Sequence, residues 1–380
     1  MKVKINDIGI VTIHRIANYG SLLQVFALQT KLQEMGYSVV VVDYVPERLR
    51  LFNLAKKTNL KQPIKTLAIC AKFIIHLRSS IRVSRFIKQN LAISPRRYHS
   101  NNDLKKYPPK ADTFITGSDQ VWNSTHNACI DKAYFLDFVP NDKMRISYAA
   151  SFGREDVESS EIEIIKTYLS KFHKISVREK SAVKILNDAN FQDVSQHLDP
   201  VFLITRKQWQ NYLSKSEHKN NQKKYVVIYE VNNENIAPLM ENARKIASIK
   251  NVEIHFIKTT QKSKLIDECD KIYRNLSPFE FIDVINNAEY VISGSFHGAA
   301  FSIILNKTFF IVYPRHFSTR LKNILEIFNL TDRVISEDSD LEHMTKPINY
   351  NDVNNVIEYE NAKAIEYFKN NLKHQSAEAN

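Results

Sequence analysis

The stretch Ala288-Glu-Tyr-Val-Ile-Ser-Gly-Ser-Phe-His-Gly-Ala-Ala-Phe-Ser-Ile-Ile-Leu-Asn-Lys-Thr-Phe-Phe-Ile-Val-Tyr-Pro-Arg315 decides the fold. Its apolar run Tyr290 to Ile292 suits a strand buried on both faces. Gly294 and Gly298 are expected to relieve the backbone around Phe296 and His297, Ala299 to Leu305 forms two helical turns, Asn306 ends them, and Thr308 to Val312 returns as a strand. A loop between the carboxyl end of a strand and the amino end of a helix is where open α/β sheets hold ligands, because free backbone N–H groups face outward there. His297 stands at that mouth.

The pattern repeats outward. Ile8 to His14 reads as a strand, Ser21 to Met35 as a helix with Leu22, Val25, Phe26, Leu32 and Met35 along one side, and Val39 to Tyr44 as a second strand. Gly36 stops the helix. The connecting turn, His14 to Ser21, is polar and contains glycine, with Ser21 as the expected N-cap, and it lacks the three glycines of a dinucleotide fingerprint. Ala111 to Asn123 and Arg145 to Gly153 each give a strand with a polar or small-residue tip. A helix over Ser160 to Lys171, a strand over Lys174 to Lys180, a helix to Leu186 and a strand over His197 to Leu203 follow.

The polar run Ser214 to Lys224 reads as a linker. It separates a first domain, 1–213, from a second, 225–350, that starts with the strand Tyr225 to Glu230. In that half come a helix over Ile236 to Ile249, a strand over Glu253 to Ile257, and a helix opened by the capping box Ser277-Pro278-Phe279-Glu280. A terminal helix, Asp352 to Leu372, and a polar tail complete the chain. The alternation throughout gives the α/β class.

Composition narrows the function. At 380 residues and 43% apolar, the chain buries a substantial core. Cys70, Cys129 and Cys269 are odd in number and far apart, so neither a disulfide framework nor a zinc site is indicated, and a reducing cytoplasm fits. Neither a signal peptide nor a membrane span is expected, since Leu67 to Ile75 is interrupted by Lys72.

Charge is uneven. The segment from Arg48 to Tyr107 carries fifteen Lys and Arg against a single acid, Asp103, within a chain of net charge +12. Leu51 to Asn90 reads there as one or two basic amphipathic helices, suited either to an anionic membrane surface or to packing on the domain. No helix-turn-helix, zinc finger or aromatic RNA-binding signature accompanies the charge, so nucleic acid is not an expected partner. Acids are scattered singly and no metal is expected.

What remains is a set of strand-end loops rich in anion-binding and hydrogen-bonding groups: Asn18, Tyr19, Ser21, Ser118, Asp119, Ser151, Arg178, Ser295, His297, Gly298, Arg315 and Arg320. Asp119 fits a proton acceptor or a helix cap, and Trp122 a sugar platform or a core residue. His297 fits proton transfer or charge stabilisation. Arg178 fits a clamp on a carboxylate or phosphate, or a salt bridge to Glu179.

These loops resemble the polysaccharide pyruvyl transferase family along nearly the whole chain. The likeness runs from Asn18-Tyr-Gly-Ser-Leu-Leu-Gln24 through Thr116-Gly-Ser-Asp-Gln-Val-Trp122, Ser147-Tyr-Ala-Ala-Ser-Phe-Gly153, Val177-Arg-Glu179 and Leu198-Asp-Pro200 to Ser295-Phe-His-Gly298. Six motifs in the family's order carry the likeness, each weakly specific alone. The resemblance implies two Rossmann-like domains facing across a cleft, as in GT-B glycosyltransferases, the first as acceptor side and the second as donor side.

It also implies phosphoenolpyruvate as co-substrate with no further cofactor, and a sugar or lipid-linked oligosaccharide as acceptor at the inner face of the membrane. The product is then a pyruvate ketal on a capsular or exopolysaccharide unit. A nucleotide-sugar glycosyltransferase of the same architecture and a non-catalytic polyanion-binding protein are the rival readings.

Overall fold

The computed structural model describes residues 6–49, 80–213, 223–259, 261–314, 318–336, 339 and 347–372. It divides into two compact units, Met1–Pro200 with Ala364–Asn380, and Val201–Lys363.

The first unit runs β1 (Asn6–Val11), α1 (Tyr19–Glu34), β2 (Val39–Tyr44), α2 (80–90), β3 (Ile93–Tyr98), α3 (Asn101–Lys106), β4 (Ala111–Thr116), α4 (Ser124–Asn127) and β5 (Met144–Ser147). These strands form one parallel sheet in the order β3-β2-β1-β4-β5. Every residue of β2 is buried, which is why its sequence is a continuous Val run rather than an alternation. Beyond β5 come α5 (Ser159–Leu169), β6 (Ile175–Val177), α6 (Lys180–Asp188) and β7 (Val194–Gln196), with β6 and β7 paired in parallel.

The second unit runs α7 (Arg206–Leu213), β8 (Tyr225–Tyr229), α8 (Ile236–Lys250), β9 (Glu253–Lys258), β10 (Lys271–Arg274), α9 (Pro278–Asn287), β11 (Tyr290–Ser293), α10 (Phe296–Ile304), β12 (Thr308–Ile311) and α11 (Thr319–Ile327). Its sheet is again parallel, in the order β10-β9-β8-β11-β12. Counted from each unit's first strand, the two orders are the same. In each sheet the order reverses once, between β1 and β4 and between β8 and β11. Connections leaving neighbouring strands at such a point go to opposite faces and open a crevice at the carboxyl edge.

Several expected boundaries move for physical reasons. α1 is capped by Asn18, whose Oδ1 accepts from Gly20 N at 2.9 Å and Ser21 N at 3.3 Å, so Ser21 lies inside the helix instead of capping it. β3 and β10 escape a reading of the sequence because Ile93-Ser-Pro-Arg-Arg-Tyr98 and Lys271-Ile-Tyr-Arg274 carry charge or proline. Both are edge strands, where such residues are tolerated. The strand expected over His197 to Leu203 is instead β7, followed by a 3₁₀ turn over Pro200–Leu203. Most of the expected basic helices, residues 50–79, lie outside the described residues.

The domain boundary falls at Pro200, ahead of the expected linker, whose residues 214–222 are also outside the described ones. α7 belongs to the second unit because Trp209 donates Nε1–H to Val201 O at 3.0 Å and meets the Phe301 ring edge-on at 5.3 Å. The terminal helix α12 (Tyr350–Asn371) begins in the second unit, where Tyr350 donates to Lys307 O, and its last turns belong to the first. No described helix is long and apolar enough to cross a membrane.

Those last turns complete the first unit's core. Tyr367 donates to Ser147 O at 2.7 Å, and the fully buried Phe368 sits 4.6 Å from the Tyr148 ring. Phe368→Ala is expected to lower stability by about 3–5 kcal/mol in chemical denaturation, the range for emptying a buried aromatic site. A loss within error of zero would show that this helix end is dispensable.

Candidate active site

At the first unit's switch point, Thr12 Oγ1 donates to Ser118 O at 2.8 Å and tethers the loop after β1 to the loop after β4. Asp119 follows in the left-handed region, φ 74°, with Oδ1 accepting from Gln120 N at 2.8 Å and Oδ2 accepting from Ser21 Oγ. Asn18 and Tyr19 are half-buried at the start of α1. These four residues, from two loops, therefore meet at one edge.

Behind them lies a buried charged network. Arg178 Nη1 donates to Asp199 Oδ2 at 2.6 Å, and Ser118 Oγ donates to the same oxygen at 3.0 Å. Ser151 Oγ and Gly153 N each donate to Glu179 Oε1 at 2.9 Å, while Arg178 Nε lies 3.8 Å from Glu179 Oε2. Ser118, Ser151, Glu179 and Asp199 are essentially sealed, and Arg178 is 3% exposed. Arg178, expected either as a clamp on substrate or in a salt bridge to Glu179, faces two acids of its own unit, Asp199 and Glu179, and Ser118 and Ser151 bond inward. Burying such charges is tolerable only when they are paired this way. Trp122 is a core residue, stacked on Phe135 at 5.5 Å with Nε1–H on Tyr134 O.

In the second unit, β8 and β11 end with Tyr229 opposite Ser293, so the next residues, Glu230 and Gly294, lie side by side. A Cβ on Gly294 would overlap Glu230 Oε2 and approach Val312 O at 3.0 Å, and one on Gly298 would overlap Ser293 Oγ. Positive φ among the described glycines is confined to Gly36 and Gly153. Gly294 and Gly298 therefore serve close approach, not an unusual backbone. Ser293 Oγ donates to Tyr229 O and accepts from Ser295 N at 3.0 Å, which fixes the turn.

α10 starts at Phe296, three residues before the expected Ala299. Ser295 is the last extended residue, and Ala299 N already donates to its carbonyl at 3.1 Å. The helix is buried all round, so no amphipathic period marks its beginning. Phe296, His297 and Gly298 form its first turn, whose N–H groups have no partner within the helix. His297 is 5% exposed and meets the Phe296 ring at 5.1 Å, and the Arg320 guanidinium from the start of α11 lies 5.9 Å over the same ring. Ser295, His297, Gly298 and Arg320 are thus brought together. Arg315 lies outside the described residues.

Glu230 is a site residue that sequence reasoning missed. It is fully buried, with Oε1 accepting from Val231 N at 2.6 Å and Asn232 N at 2.9 Å, and Oε2 from Asn235 Nδ2 at 3.2 Å. Burial pushes its carboxyl above the usual range, only partly offset by bonds from Asn232, Asn235 and Val231. Its signal in the sequence is an acid directly after an apolar strand; Asp43, an acid inside β2 one residue before its end, is a related case.

Two doubly wound parallel units, each with its polar loops at the switch point, define an α/β protein of the GT-B type. UDP-N-acetylglucosamine 2-epimerase from Rickettsia bellii shares the fold over 97% of each chain, with TM-score 0.54 and 10% identity. The UDP-GlcNAc 2-epimerase of Methanocaldococcus jannaschii does so over 96% of this chain and 99% of its own, at TM-score 0.52 and 12% identity. MnaA of S. aureus, solved with UDP, matches over 98% and 100% at TM-score 0.51 and 13% identity. No curated protein matches the chain. The chain belongs to the polysaccharide pyruvyl transferase family, whose model matches residues 18–316.

Gly294→Ala is expected to cost about 1–3 kcal/mol in denaturant unfolding, as overpacking does. Glu230→Ala in the same chain should recover part of that loss, because the side chain in the way is gone. Strictly additive losses would show that the two residues do not meet.

Proposed function

We propose that the protein moves the enolpyruvyl group of phosphoenolpyruvate onto a hydroxyl pair of a hexose in a lipid-linked capsular or exopolysaccharide unit. The observation that carries this reading is the first turn of α10, which starts at the second unit's switch point and brings His297 and the neighbouring Arg320 together in a chain of this family. A carboxylate and a phosphate on one small molecule call for such a site.

On this reading the second unit holds the donor and the first holds the acceptor. A sugar hydroxyl oxygen attacks C2 of the enolpyruvyl group as C3 takes up a proton and becomes a methyl. The second hydroxyl then attacks C2, the bond from C2 to the phosphate oxygen breaks, and the remaining hydroxyl proton leaves on phosphate. His297 suits the proton delivery or the charge on the departing phosphate. Asp119, which already accepts a hydrogen bond from Ser21, suits the hydroxyl proton.

Asn18, Tyr19 and Ser21 line the acceptor edge, and Ser295, Gly298 and Arg320 the donor edge. Arg178, with Ser118 and Ser151, holds the first unit's loops in place through Asp199 and Glu179. The basic segment from Arg48 to Tyr107 suits an approach to an anionic membrane face.

His297→Ala should keep the fold and reduce phosphoenolpyruvate-dependent phosphate release by a factor on the order of 10² or more. Circular dichroism and a phosphate assay check the two halves. A folded variant with the wild-type rate removes His297 from the reaction.

A further inference from the structure

We propose that the carboxyl edge of β2 and β3 binds a phosphate or diphosphate group on the acceptor, held by the guanidinium groups of Arg15 and Arg97. The inference takes its substrate from the proposed function and its geometry from the first unit alone.

Asp43, next to the last residue of β2, organises this edge. Its carboxylate receives Arg15 through Nε on Oδ1 and through Nη2 on Oδ2 at 2.8 Å, and Arg97 Nε donates to Oδ2 at 3.0 Å. His14 Nε2 lies 3.4 Å from Oδ1, and Asp43 N donates to Ser94 Oγ at 2.9 Å. Burial alone would raise this carboxyl, but hydrogen bonds from His14 and Arg15 hold it well below the usual carboxylate range. Asp43 is therefore an anion, and it fixes both guanidiniums.

One carboxylate does not neutralise two guanidiniums, so the pair keeps a surplus positive charge. Arg97 has half of its side chain exposed and engages Asp43 through Nε alone, and its terminal Nη groups make no hydrogen bond among the described residues. Arg15 Nη1 reaches Ser84 Oγ on α2 at 3.5 Å. On that helix the exposed Lys88, four residues on from Ser84, shares its face and adds to the positive charge there. Guanidiniums fixed in this way present the donor geometry that phosphate oxygens match.

The loop that carries Arg15 runs on to Asn18, Tyr19 and Ser21, the proposed acceptor edge. A sugar destined for a polymer needs a leaving group at its anomeric carbon, and a phosphate ester is the usual chemistry for that. Either a lipid diphosphate or a nucleoside diphosphate supplies it.

The test is calorimetric titration of the full chain, saturated with phosphoenolpyruvate, with inorganic diphosphate. Wild type is expected to bind it, and Arg97→Met, which keeps the aliphatic stem, to bind at least about tenfold more weakly with an unchanged melting curve. Arg320→Met should weaken phosphoenolpyruvate and leave diphosphate alone. Farnesyl diphosphate and UDP are titrated in the same way. The tighter of the two names the source, provided its binding also depends on Arg97. No diphosphate binding, binding indifferent to Arg97, or a loss caused by Arg320→Met instead would overturn the proposal. If phosphoenolpyruvate itself fails to bind, the proposed function falls, while Arg97-dependent diphosphate binding, measured without it, stands.

Discussion

Parallel pairing of β8 with β11 forces Glu230 and Gly294 out of the sheet side by side, and a single hydrogen on the Gly294 Cα is all the space allows. From that contact the rest of the second unit's edge follows. Glu230 closes its own turn through two backbone N–H groups, and Gln261 donates to its carbonyl, joining the segment after β9. Ser293 sets the entry to α10, and the helix then begins early enough to put His297 in its first turn. The close approach thus connects strand order to the position of the residue with the most suitable chemistry.

The first unit repeats the strand order with a different solution for its charges. Arg178, Asp199 and Glu179 are sealed against one another, with Arg178 Nη1 on Asp199 Oδ2 and its Nε 3.8 Å from Glu179 Oε2, an arrangement that rigidifies loops instead of contacting solvent. Outside that network Asn18 and Tyr19 are half-buried at the start of α1, and of the two guanidiniums fixed on Asp43 that of Arg97 is the exposed one.

Much of this was legible in the chain. β2 was read to the residue because a Val run admits one interpretation, and the capping box at Ser277 is present in full, with Glu280 N on Ser277 Oγ and Ser277 N on Glu280 Oε2. Edge strands were not legible, since Pro95 and the charges of β3 and β10 obey no buried period. Nor was the start of α10, buried on every side. The family motifs include Ser118, Ser151, Arg178, Glu179 and Asp199, and a salt bridge from Arg178 to Glu179 is one of the readings they allow. That Asp199 draws Arg178 and Ser118 together, however, depends on three separate loops, which no local pattern encodes. Glu230 and Asp43 escaped for the same reason: an acid at the end of an apolar strand has meaning only once its neighbours across the sheet are known.

The most direct measurement is the reaction itself, run in deuterium oxide with phosphoenolpyruvate and a panel of lipid-linked and free oligosaccharides, with phosphate and product mass followed together. Pyruvyl transfer predicts one phosphate released per acceptor modified and a ketal methyl group that carries deuterium from solvent. Transfer that requires a nucleotide sugar, or an acceptor modified without release of phosphate, would contradict it.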